Sequence, residues 1–169
     1  VRKFWKDKMD LFPSIEDCIT KGNRKFDLIT SFHVFEHLID PRKVLTSFSN
    51  ILDSKGNVII EVPNASDALL TLYDCQDFQK FNYWSQHLFV FNELNLKTLA
   101  EQSGFNILSI QHYQRYPLSN HLYWLSKGLP GGHNQWSFLD NPILQNAYAA
   151  SLSSLGKTDT LIAYLEKKN

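Results

Sequence analysis

The sequence predicts an α/β fold on a mostly parallel sheet, and three observations carry that prediction. A short β-branched run, Leu28 to Phe32, suits a strand buried on both faces. Val44, Leu45, Phe48, Ile51 and Leu52 then recur at three- and four-residue steps, the apolar stripe of an amphipathic helix. A second apolar run, Val58 to Val62, stops at Pro63, which cannot donate to a strand ladder. Strand, helix and strand in that order make a βαβ unit from Phe26 to Asn64, right-handed by the usual rule. Ligands on such sheets bind outside the carboxyl ends of the strands. Those ends are Ser31 to His37 and Glu61 to Asn64.

Each element has a local reason. Met9 to Phe12 reads as a short strand. Ser14 is a good helix cap with Glu16 and Asp17 in the first turn, and the helix runs through Ile19 to end near Gly22. Asp40 and Pro41 suit the cap and first position of the crossover helix, and Lys55-Gly56-Asn57 reads as its end. Ala68, Leu69, Leu72 and Tyr73 give 65–79 a helical pattern, expected to lie like a lid over the site, and aromatic residues crowd the chain from Phe78 to Trp84. Asn92 caps a helix to Ser103 with Leu94, Leu96, Leu99 and Ala100 turned inward, and Gly104 ends it. Phe105 to Gln111 and Thr160 to Leu165 are the remaining strands.

Between those strands lies a long excursion, residues 113–156, with a helix over Asn141 to Leu155 that puts Ala147, Tyr148 and Leu152 on one face. Excursions of this length usually carry function. Its His121, Tyr123, Trp124, His133 and Trp136 are either a stacking surface for a sugar or planar molecule or the small core of the excursion. Gly131-Gly132 reads as a turn, lacking the strand–loop–helix setting of a phosphate cradle.

At 169 residues the chain suits a single domain over 1–169 with one core. A net charge of zero removes the electrostatic case for nucleic acid or an anionic membrane surface. No window approaches the ~18 apolar residues of a membrane span. Cys18 and Cys75 show no metal or redox spacing and read as two reduced thiols of a cytoplasmic protein.

The segments FDLITSFHVFEHLIDP (Phe26 to Pro41) and LDSKGNVIIEVPN (Leu52 to Asn64) carry a family resemblance. The chain resembles the class I S-adenosylmethionine-dependent methyltransferases of the type 11/12/23 kind, in their fourth strand with its loop and the turn into their fifth. The resemblance implies a Rossmann-like sheet, mostly parallel, that ends in an antiparallel hairpin. It implies methyl transfer from S-adenosylmethionine to a small-molecule acceptor, with a sugar or surface-polysaccharide precursor as the expected class. It places Ser31, Phe32 and His33 beside the methionine end of the cofactor, and Ile15 and Glu16 in the loop that covers the adenine. It makes 113–156 an insertion on the acceptor side.

One departure qualifies this. No glycine precedes Gly22, so the family's glycine-rich first motif has no counterpart. The resemblance then implies the carboxyl-terminal part of such a domain, with the amino-terminal strands missing and Leu28 to Phe32 left as a bare edge. Bare edges recruit partners. A homodimer through that strand, a swapped assembly, or repacking of Met9 to Phe12 onto it is expected. The alternative reading is a catalytically inactive binding or assembly module that keeps only the acceptor side.

The densest chemistry is His33-x-x-Glu36-His37, with His87-x-Phe89 further on. Small-RNA 2′-O-methyltransferases and some ubiquinone-pathway O-methyltransferases are similar here and hold a divalent metal on an acid, two spacers and Glu-His. His33 stands where those have Glu, a change that suits a transition metal better than magnesium. Three uses stay open: metal ligation by His33, Glu36, His37 and His87; acid–base catalysis by His33, His37 or His87; and hydrogen bonding that only holds the loop.

Overall fold

The structure, a computed structural model, describes residues 8–22 and 24–168. Its four strands are β1 (Phe26–Phe32), β2 (Leu52–Pro63), β3 (Phe105–Tyr113) and β4 (Thr160–Lys167). Helix α1 (Ile15–Gly22) precedes β1, and α2 (Pro41–Ile51) crosses from β1 to β2. The short α3 (Ala68–Thr71) and α4 (Gln76–Asn82), then α5 (Glu93–Gln102), lead to β3. The excursion holds α6 (Leu118–Lys127), α7 (Gly132–Gln135) and α8 (Pro142–Ser154). No described helix is long and apolar enough to cross a membrane.

The sheet order is β1-β2-β4-β3. β1 and β2 pair in parallel, whereas β4 runs antiparallel to both neighbours. Three strands therefore point one way and one opposes them. The expected terminal antiparallel pair forms: β3 and β4, the last two strands, pair at one edge of the sheet, with β4 between β2 and β3. This order gathers the carboxyl ends of β1, β2 and β3 and the start of β4 along one rim.

The caps read from the sequence form. Asp40 accepts from Lys43 N at 2.9 Å ahead of Pro41, and Asn92 exchanges hydrogen bonds with Asn95 in a capping box. Ser14 Oγ accepts from Asp17 N at 3.0 Å at the head of α1. One core forms under α2 and α5 from Phe35, Leu45, Phe48, Val58, Ile60 and Leu161 among others. A smaller cluster of Leu69, Cys75 and Trp124, with Phe78 against it, joins α3, α4 and α6. Cys18 and Cys75 are both free.

Several local expectations are corrected. Met9–Phe12 forms no strand, because Pro13 and Ser14 turn the chain straight into α1. β1 is not buried on both faces: Leu28 and Phe32 are 51% and 53% exposed, since β1 pairs with β2 alone among the described strands. Gly56 does not end α2, which stops at Ile51. It lies in β2, where the pairing passes from Phe26–Leu52 to Leu28–Asn57, so that one residue of β1 opposes four of β2 and the strand bulges. A Cβ there would meet Phe26 O at 2.8 Å and Leu52 Cγ at 2.6 Å, so glycine is required by close approach. The helical pattern over 65–79 divides into α3 and α4, with Asp74 at φ 47 breaking it. Leu94 points to solvent, and Leu96 and Ala100 alone of the predicted four are fully buried on α5.

Candidate functional site

At the end of β1 the chain leaves the sheet through His33, whose φ of 51 is a left-handed conformation uncommon outside glycine. A bond from His33 N to Glu61 O, 2.9 Å, fixes this turn. The ring then lies between two acids, Nδ1 at 3.4 Å from Glu36 Oε1 and Nε2 at 2.8 Å from Glu61 Oε1. Arg115 Nη1 reaches the same Nε2 and lies 3.9 Å from Glu61 Oε1. One nitrogen cannot both donate to Glu61 and accept from Arg115. Neutral His33 keeps its proton on Nδ1, toward Glu36, and accepts from Arg115; charged His33 turns an N–H to each carboxylate. The hydrogen bond to Glu36 raises its pKa above the usual imidazole value, against the pull of burial and of Arg115.

Glu36 and His37 follow in a 3-10 turn, Phe35–His37. Glu36 O accepts from Leu88 N and Phe89 N at 2.8 and 3.1 Å, which brings the 86–89 segment over the turn. His37 Nδ1 is 2.7 Å from Gln86 O, and His87 Nδ1 is 2.7 Å from Asn82 O. A carbonyl only accepts, so both imidazoles carry the proton on Nδ1 and leave Nε2 a bare donor pair. One ligand atom from each of Glu36, His37 and His87 lies within 4.8 Å of the others. Glu36 Oε2 is buried with no hydrogen-bond partner among the described residues. His33 stands outside this group.

Above the rim lies a cavity of about 610 Å³ between the strand ends and helices α3, α4 and α6. One wall is aromatic: Phe78 and Phe81 each lie 5.2 Å from the Trp124 ring, centroid to centroid. The polar side holds Asp67, Asn120, His121 and Asp159. Asp67 caps α3, its Oδ1 accepting from Leu69 N at 2.7 Å, and burial pushes its carboxyl up to about 7. Asp159 accepts from Arg115 N, Tyr116 N, Thr160 Oγ1 and Gln114 Nε2, and so holds the loop after β3 in place. Burial raises its pKa in spite of these bonds.

His121 is buried, and burial lowers its pKa to about 4, so the ring is neutral. Asp159 N donates to Gln114 Oε1, which orients that amide and turns Gln114 Nε2 toward His121 Nε2 at 3.2 Å. Nε2 of His121 therefore accepts, and Nδ1–H faces Tyr148 Oη at 2.7 Å. Tyr148 Oη meets Tyr73 Oη at 3.0 Å. Burial and the Tyr73 bond both raise the Tyr148 pKa.

The structure thus brings His33, Glu36, His37 and His87 to one cavity with His121, Trp124 and His133 of the excursion. Tyr123 and Trp136 instead pack on each other, 5.2 Å apart and edge to face. Of the residues expected at the cofactor, His33 lines the cavity; Ser31, Phe32, Ile15 and Glu16 do not. Ser31 is buried under the strand end, Phe32 presents its ring to solvent, Ile15 packs on the main core and Glu16 is exposed on α1. Asp67, Asn120, Arg115 and Asp159 were not anticipated as site residues. Asp67 had a local signal, an acid directly before a helical pattern, but its burial is a tertiary fact.

Residues 3–110 match a family model described as a methyltransferase domain. A SAM-dependent methyltransferase from Archaeoglobus fulgidus is similar in structure, with a TM-score of 0.57 and 16% identity over 98% of this chain and 71% of its own. A SAM-dependent methyltransferase from Thermotoga maritima gives 0.51 and 17%, over 86% and 57%. A chain from the complex between the Haloferax volcanii Trm112 methyltransferase activator and a proposed methyltransferase gives 0.52 and 11%, over 86% and 55%. The chain thus spans 55% to 71% of the length of these solved relatives. No curated protein matches it.

Proposed function

The chain belongs to the class I S-adenosylmethionine-dependent methyltransferase family, and from that premise we propose that it transfers a methyl group from S-adenosylmethionine to a small-molecule acceptor held in the cavity. The observation that carries the proposal is the cavity's position, outside the carboxyl ends of β1 and β2 with His33 on its floor. The cofactor supplies a methyl group already activated by its sulfonium charge. The protein's share is to align the acceptor, exclude water and accept a proton where the acceptor carries one.

Ser31, Phe32 and His33 are proposed for the methionine end, where the exposed Phe32 ring is free to cover a ligand; Ile15 and Glu16 are proposed for the adenine. His33, His37 and His87 are the candidate acid–base residues, His33 best placed because two carboxylates and Arg115 set its proton. The aromatic wall supports an acceptor with a flat apolar face, of which a sugar or polysaccharide precursor is one example. The open edge of β1, with Leu28 and Phe32 exposed, is proposed as a homodimer surface, and a strict monomer by light scattering removes that part. The free thiols fit a cytoplasmic setting.

Calorimetry with S-adenosylhomocysteine tests the main reading. One-to-one binding is expected. No heat at millimolar ligand favours an inactive binding module instead.

A specific geometry supports a further element, a divalent transition metal on Glu36, His37 and His87. The residues fit one: both imidazoles are oriented through Nδ1–H to carbonyls, as ligating histidines usually are, and Glu36 Oε2 is buried without a partner. A metal there would lower the pKa of an acceptor hydroxyl. Manganese or zinc is expected to raise the melting temperature of the wild type and not of Glu36→Gln. An unchanged melting temperature, with no stoichiometric metal by elemental analysis, removes it.

A further inference from the structure

We propose that the cavity binds an organic amine, its ammonium on Asp67 and its hydrocarbon body against Phe78, Phe81 and Trp124. The inference deepens, and rests on, the reading of this cavity as an acceptor pocket. It begins with an imbalance of charge. Asp67 is 3% exposed. Its Oδ1 is occupied by Leu69 N, while Oδ2 takes no hydrogen bond among the described residues, and the residue lines the cavity. A carboxylate so placed needs a counter-charge or stays protonated.

Among the described residues the chain supplies no such charge. Lys80, at the cavity, pairs with Asp77 at 3.2 Å, its side chain 76% exposed. Arg115 lies between Glu61 and His33. Lys157 turns its ammonium to Thr71 Oγ1 at 3.0 Å. Asp159, the carboxyl whose charge acts on Asp67, has the same sign. It is already met by four donors, so Asp67 alone of the pair remains to be matched.

The wall beside it answers the same chemistry. Indole and phenyl faces carry a negative quadrupole and attract cations, most strongly where water is excluded. A neutral polyol would leave Asp67 uncompensated, and an anion would meet two acids of its own sign. An ammonium on an apolar or ring-shaped body satisfies the acid and the rings together, and an amino sugar is one form of it. A volume of about 610 Å³ accommodates such a molecule.

Trp124 in the wall, with Trp84 also at the cavity, provides a fluorescence readout. Benzylamine, benzyl alcohol and benzoate are titrated in slightly alkaline buffer, where the amine is still charged. Benzylamine is expected to bind at least about tenfold more tightly than benzyl alcohol, the size of one charge-assisted contact. Benzoate is expected to bind worst. Asp67→Asn, which keeps an oxygen for Leu69 N, should bring amine and alcohol within about twofold of each other. Equal binding of amine and alcohol to the wild type overturns the proposal, as does a preference that survives in a folded Asp67→Asn protein. The wild-type comparison decides the matter even where the variant fails to fold. Calorimetry with S-adenosylhomocysteine separates the two readings: amine preference without cofactor heat keeps the amine site and removes the methyl-transfer reading, whereas cofactor heat without amine preference does the reverse.

Discussion

Asp67 and His121 face the same cavity, and burial disfavours the charged form of both, with opposite effects on stability. Asp67 is raised from its ordinary 3.8 to about 7. The unfolded chain has lost that proton near neutrality while the native state still holds it, so the contribution grows as pH falls from 7 toward 4. His121 is lowered from 6.5 to about 4. The unfolded chain gains a proton below its ordinary value that the native state refuses, so this contribution is complete above 6.5 and is lost as pH falls. At 1.36 kcal/mol per unit, moving from about pH 7 to about pH 5 gives roughly 2 kcal/mol for each group, in opposite directions. The two nearly offset in the wild type. Urea midpoints of the wild type, Asp67→Asn and His121→Gln at both pH values test this. Relative to the wild type, Asp67→Asn should lose about 2 kcal/mol on acidification and His121→Gln should gain about 2. Two variants whose stability relative to the wild type does not change with pH, or changes in the same direction, would refute the burial argument for both.

The other predictions concern packing, a close approach and the exposed strand end. Phe35→Ala empties a fully buried position and should lower stability by about 3–5 kcal/mol in urea denaturation. Gly56→Ala puts a methyl against Phe26 O and Leu52 and should cost about 1–3 kcal/mol, seen as a lower melting temperature. Phe32→Ala removes an exposed ring and should leave the urea midpoint within about 0.5 kcal/mol of the wild type. It should still weaken S-adenosylhomocysteine binding by calorimetry; unchanged affinity removes Phe32 from the proposed cofactor site.

Local chemistry was the legible part of the sequence. Caps at Ser14, Asp40 and Asn92 depend on neighbours within four residues, and each formed. The helical period of 41–51 and the apolar run to Val62 likewise marked α2 and β2. Long-range events were not legible. Gly56 reads as a helix end because glycine suits both roles, and only the approach of Phe26 O decides between them. Leu28 and Phe32 read as core because exposure depends on which strands pair beside β1. In the site, the His33–His37 motif and His87 were visible as types and spacing, and they do converge. Asp67 and Asp159 were not visible, since an acid in a loop carries no mark of being buried. Arg115 comes to His33 from 82 residues away, a meeting set by β3 and β2 sharing one rim.

The place of β4 has a consequence for how the molecule is made. Synthesis yields β1, β2 and β3 before β4, yet β2 and β3 meet only through β4. Until residues 160–167 emerge, the apolar faces of Val58, Ile60 and Val62 have no partner on that side and β3 has no ladder at all. The growing chain therefore presents an unpaired β2 edge that any extended segment of similar pattern can occupy. Ordering the β3 and β2 edges waits on a closure between segments separated by about a hundred residues, the kind of long-range pairing that slows folding and favours chaperone engagement.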